Sequence, residues 1–144
     1  MASTRCVRVG WISLVVCMLA GCASEDDRPP TFTYVYTTIL QPSCATIGCH
    51  NRYAQTYGFR FDTLHGTYAY LTGVVCGDGR DGGEPDPPGE PAGNFVRPGD
   101  PERSKLMHLL RAEDVPRRMP PDRALPDVDI DLIERWILEG ARCD

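Results

Sequence analysis

The sequence predicts an all-α fold, with short helices joined by long loops in one small domain. Three observations carry this. Apolar residues recur at helical spacing in three separate segments, and capping or helix-breaking residues bound those segments. The chain between them is rich in turn formers, with 14 Gly and 13 Pro among 144 residues. Lys and Arg total 15 against 20 Asp and Glu, a formal charge of −5, which argues against a non-specific nucleic-acid binder. Seven cysteines in so short a chain point to a cross-linked or cofactor-held domain rather than a large self-sufficient core.

At the N-terminus, Arg5 and Arg8 precede an apolar run over residues 9–20 that ends in Leu19-Ala20-Gly21-Cys22. Charge followed by an apolar stretch is the layout of an export signal, and the run is short of the roughly 20 residues a membrane-spanning helix needs. Leu-Ala-Gly-Cys resembles the bacterial lipoprotein box. That resemblance implies cleavage of residues 1–21 as a signal peptide and lipid on the Cys22 thiol. Ala23 in the next position implies sorting to the outer membrane, facing the periplasm, or to the cell surface. Ordinary signal cleavage with Cys22 incidental is the plainer alternative. Without Arg5 and Arg8, 13 basic residues face 20 acidic ones and the charge becomes −7. Residues 22–31 are short, acidic and proline-broken, and read as a flexible tether.

From Phe32 to Leu40 the β-branched composition favours a strand, whereas Phe32, Val35, Tyr36, Ile39 and Leu40 share one helical face. Periodicity is followed here, and Pro42 is expected to end the helix. Residues 77–93, dominated by Gly, Pro and acids, read as a surface loop. Its acids lack the ligand spacing of a calcium loop. Asp100 and Pro101 are expected to open a helix as N-cap and first helical residue, with Leu106, Leu109 and Leu110 as its apolar stripe, ending before Pro116. A last helix is expected from Asp127, with Val128, Leu132, Ile133, Trp136 and Ile137 on one side and Gly140 as its stop.

The chemistry lies in the cysteines. Cys6 and Cys17 leave with the signal, Cys22 takes lipid, and Cys44, Cys49, Cys76 and Cys143 remain. Cys44-Ala-Thr-Ile-Gly-Cys49-His50 closes a cysteine pair with an immediate histidine. This is how haem c is attached, with two thioethers on the porphyrin and the adjacent imidazole as an iron ligand. Four residues separate the cysteines here instead of the usual two. Arg118-Met119-Pro120-Pro121 offers a thioether on a proline-fixed segment as the opposite axial ligand, a pairing that raises the reduction potential.

At these residues the chain resembles the small bacterial mono-haem cytochrome c-like domains of planctomycete and myxobacterial type. The similarity runs through three blocks. The first is Ile39-Leu40-Gln41-Pro42-Ser43-Cys44 leading into Cys49-His50. The second spans residues 96–104, Val-Arg-Pro-Gly-Asp-Pro-Glu-Arg-Ser. The third is Met119-Pro120-Pro121 followed by residues 129–137 and Gly140-Ala141. It covers about residues 32–141, interrupted by the 77–93 loop. The resemblance implies a small class I cytochrome c-like fold over residues 32–144. It also implies haem c bound through Cys44, Cys49 and His50, with Met119 as distal ligand. With two cysteines given to haem, Cys76 and Cys143 are left for each other. A bridge between them would contribute about 4 kcal/mol in the chain-entropy picture.

Plainer readings stand beside these. Cys44 and Cys49 could form a local disulfide with His50 at the surface, and Met119 could pack a loop. Met107 and His108 compete as distal ligands and rank below Met119. His65 reads as a turn residue, and Tyr36 and Trp136 as core aromatics. A zinc site from Cys44, Cys49, His50 and one further ligand conflicts with an oxidising compartment. No Gly-x-Ser-x-Gly turn supports a hydrolase. The expected function is therefore electron transfer between redox partners by a monomeric, lipid-tethered cytochrome, not enzymatic catalysis. The acidic balance suits a partner with a basic face. The rival is a haem-free, disulfide-bonded surface lipoprotein with a binding or structural role.

Overall fold

The computed structural model describes residues 26–76 and 95–144. The expected signal peptide, Cys22, the first part of the tether and the 77–93 loop lie outside the described residues. The described residues form short helices joined by loops, without strands. In order they form α1 (Phe32–Val35), a π turn (Tyr36–Leu40), α2 (Gln41–Cys44), a 3-10 turn (Thr56–Gly58), α3 (Leu64–Thr72), a second 3-10 turn (Pro101–Arg103), α4 (Lys105–Arg111) and α5 (Asp127–Leu138). None of these helices is long and apolar enough to cross a membrane.

Helical periodicity prevails over strand propensity from Phe32 onward, yet Pro42 does not end the helix. Thr37 and Thr38 hydroxyls donate to the Thr33 and Tyr34 carbonyls at 2.8 and 2.7 Å, a pattern that bends helices. The backbone widens into the π turn, closed by the Gln41 N–H on the Tyr36 carbonyl. The wider turn relieves the clash a proline ring makes with the carbonyl four residues earlier, and Pro42 falls in the first turn of α2. Helicity therefore continues to Cys44.

A helix not anticipated from the sequence, α3, contains His65, which is thus not a turn residue. Thr63 is extended ahead of it, the Thr67 N–H and hydroxyl donate to the Thr63 carbonyl at 2.9 and 2.6 Å, and Gly73 closes it at φ +75°. The expected helix from Asp100 is divided. Asp100 caps the Pro101–Arg103 turn, but buried Ser104 is extended and bonds the Asp100 carbonyl and the Arg97 N–H, so α4 begins only at Lys105. Leu106 and Leu110 are buried as expected, with Met107 rather than Leu109 beside them. In α5, Val128 is 57% exposed and Ile130 takes its place in the core; the Val128 carbonyl receives Arg28 Nη2 at 2.7 Å.

The core forms where α1, α3 and α5 meet. Phe32 stands 5.0 Å from Tyr68 and 5.1 Å from Trp136, centroid to centroid. Both partners send their polar ends to the C-terminal tail: Tyr68 Oη to the Ala141 carbonyl at 2.9 Å and Trp136 Nε1 to the Arg142 carbonyl at 3.0 Å. A Cys76–Cys143 disulfide ties the chain after α3 to the same tail, with Cα atoms 5.7 Å apart.

The described end of the expected tether is docked rather than free. Arg28 pairs with Asp26 and with Asp129 of α5, the latter at 2.6 Å. Arg135 donates to the Asp26 and Arg28 carbonyls at 2.8 and 3.1 Å. The segment has little apolar surface, as the composition indicates. Charge pairing and carbonyl capture hold it instead.

Candidate functional site

Between α2, the loop after it, α4 and the segment before α5 lies a cavity of about 520 Å3, within the roughly 300–1,000 Å3 of ordinary cofactor and ligand sites. Cys44, Cys49 and His50 line it, and so does Met119, some seventy residues away in sequence. All four expected haem residues thus share one cavity. Met107, by contrast, is 2% exposed in the core. His108 bonds the Glu102 carbonyl through Nε2 at 2.9 Å, and neither residue lines the cavity. Tyr36 and Trp136 are core aromatics that do not line it either.

The cysteine loop is held by its backbone. α2 delivers Cys44, whose carbonyl accepts the His50 N–H at 3.0 Å, and the Cys49 N–H donates to Thr46 at 3.0 Å. The turn passes through Gly48 at φ +89°, a left-handed conformation that a side chain would strain. Asn51, buried, secures the exit. Its Nδ2 donates to the Thr46 carbonyl at 2.8 Å, while its Oδ1 accepts the Tyr53 and Ala54 N–H groups at 2.8 and 2.9 Å. Behind His50, the Phe61 N–H donates to the His50 carbonyl at 2.7 Å, and Tyr36 Oη donates to the Phe61 carbonyl at 3.3 Å.

Cys44 and Cys49 are free thiols, both half-buried. Burial, with a smaller contribution from Cys49, pushes the Cys44 thiol up to about 12, so it stays protonated at neutral pH. The His50 imidazole lies against Phe61 and Phe59, at centroid distances of 5.2 and 5.9 Å. Burial lowers its pKa, partly offset by backbone groups of Thr56 and Phe59. Its Nδ1 is buried with no hydrogen-bond partner. Elsewhere on the cavity lining, the Met119 N–H donates to the Leu109 carbonyl at 2.9 Å.

The sequence reasoning missed the aromatic wall. Phe59 packs edge-on to Phe95 at 5.0 Å and to Tyr70 at 6.1 Å, and all three line the cavity with Phe61. Alternation of Phe59 and Phe61 just after the Cys-Cys-His segment was the available signal. Asn51 carried no signal of its own.

The donor set and the lining fit haem c. Two unpaired thiols, an imidazole carrying an orphaned buried nitrogen and a thioether all border an apolar space with aromatic walls. Among the described residues, no three His, Cys, Asp or Glu side chains converge as a metal site of their own. No family model, curated protein or solved structure matches the chain.

Proposed function

We propose that the chain is a monomeric mono-haem c-type cytochrome with a class I-like fold, carrying electrons between redox partners. In this reading it is exported and held to a membrane by lipid on Cys22. One observation carries the proposal: Cys44, Cys49, His50 and Met119 border one apolar cavity although they come from opposite ends of the domain.

Haem c, when bound, supplies an iron that alternates between ferrous and ferric states without bond-making on a substrate. Cys44 and Cys49 would hold it through their thiols, and His50 and Met119 would offer an imidazole and a thioether to its iron. Phe59, Phe61 and Phe95 keep water from the space and lower its polarity, which favours the less charged, reduced state. The acidic chain favours a partner with a basic face, with an association rate that falls as salt rises. The free state of Cys44 and Cys49 speaks for this reading over a haem-free lipoprotein cross-linked at every cysteine.

The test is a pyridine haemochrome spectrum of the chain expressed for export with haem-attachment machinery. The α-band position of a porphyrin with both vinyl groups saturated is expected; a colourless protein overturns the proposal.

A further inference from the structure

Among the described residues no carboxylate lines the cavity, although acidic residues outnumber basic ones 20 to 15 in the whole chain. Two exposed cations, Lys105 and Arg117, line it instead. Among the described residues neither makes an ion pair. Lys105 opens α4, and its Nζ lies 4.7 Å from the centroid of Phe95, so its charge rests at the edge of the apolar wall. Arg117 sits two residues before Met119, on the segment that the Met119 N–H fastens to α4. An apolar space bordered by two unneutralised cations suits an occupant with an apolar body and anionic groups along one edge.

We infer that Lys105 and Arg117 bind the two carboxylates of the porphyrin and so fix which edge of it faces outward. This rests on the haem reading. Two carboxylates against two cations neutralise the mouth, leaving the acidic field of the chain to steer a partner. The two cations come from different elements, so the contact also joins the Met119 segment to α4 through the ligand.

The experiment separates this inference from the reading beneath it. The full chain carrying Cys44→Ser and Cys49→Ser, which cannot attach a porphyrin, is titrated with metal-free protoporphyrin IX and with its dimethyl ester, followed by porphyrin fluorescence. The diacid is expected to bind about tenfold more tightly than the diester at low salt, the scale of two exposed charge contacts, and salt should narrow the gap. Lys105→Gln and Arg117→Gln should each reduce the preference about threefold, and the double variant should abolish it, with diester binding unchanged as the control for folding. Lys105→Arg and Arg117→Lys should retain it. Equal binding of diacid and diester, or a preference that survives the double variant, overturns the inference and leaves the haem reading standing. Binding of neither porphyrin overturns the inference, and the haemochrome spectrum of the parent chain then decides the haem reading.

Discussion

The Met119 N–H donates to the Leu109 carbonyl at 2.9 Å, and both residues border the cavity. The loop carrying the thioether is thereby fastened to α4. Met107, two residues before Leu109, projects into the core instead, so α4 contributes a backbone anchor for one methionine while burying another.

Under the haem proposal, Met119 is the distal ligand. Met119→Ala is expected to abolish the weak near-infrared sulfur-to-iron band of the oxidised protein and to lower the reduction potential, whereas Met107→Leu should leave the band in place. A band that survives Met119→Ala would falsify the assignment.

Asn51 makes three hydrogen bonds to backbone, one to Thr46 within the cysteine loop and two from Tyr53 and Ala54 just after it. At about 1 kcal/mol net for each, with part recovered from water, Asn51→Ala should cost about 2 kcal/mol in the denaturant midpoint of the haem-free chain. It should also lower the yield of attached haem. An unchanged midpoint and yield would mean the loop holds its shape without Asn51.

The Asp26–Arg28 contact has a pH signature. The Arg28 guanidinium bonded to it holds the Asp26 carboxyl below its ordinary 3.8. A depressed carboxylate contributes stability that is present above 3.8 and lost as pH falls through the folded-state value. In a carboxyl-carbon NMR titration, Asp26 should titrate below 3.8 in the parent and move upward in Arg28→Ala. Relaxation measurements on residues 26–28 should show increased mobility in that variant. Identical titration curves would contradict docking of this segment.

The Cys76–Cys143 bridge closes a large loop. Replacing both residues with serine should lower stability by about 4 kcal/mol in the chain-entropy picture, read as a lower midpoint. A loss well under 1 kcal/mol would contradict the chain-entropy account of the bridge.

The ends of the candidate site were legible and its walls were not. Cys44, Cys49, His50 and Met119 stand out because their chemistry is carried by short local patterns. The Phe59, Phe95 and Tyr70 contacts join residues up to 36 positions apart, and nothing local announces them. The helical class was legible from apolar spacing in α1 and α5. In α3, polar and apolar residues are less clearly segregated and Gly66 interrupts the pattern, so the helix went unread. Pro42 was misread because a π turn makes room for its ring, and the tether because salt bridges rather than apolar contacts dock its end. Lys105 and Arg117 resembled ordinary surface charges until the fold set both on one cavity.

Proteolytic mapping with intact mass of the exported protein decides whether Cys44 and Cys49 carry haem. The peptide spanning Cys44 to His50 is expected to carry a single haem through both sulfurs, with Cys76 linked to Cys143. A haem-free peptide in which Cys44 and Cys49 are joined as cystine would contradict it.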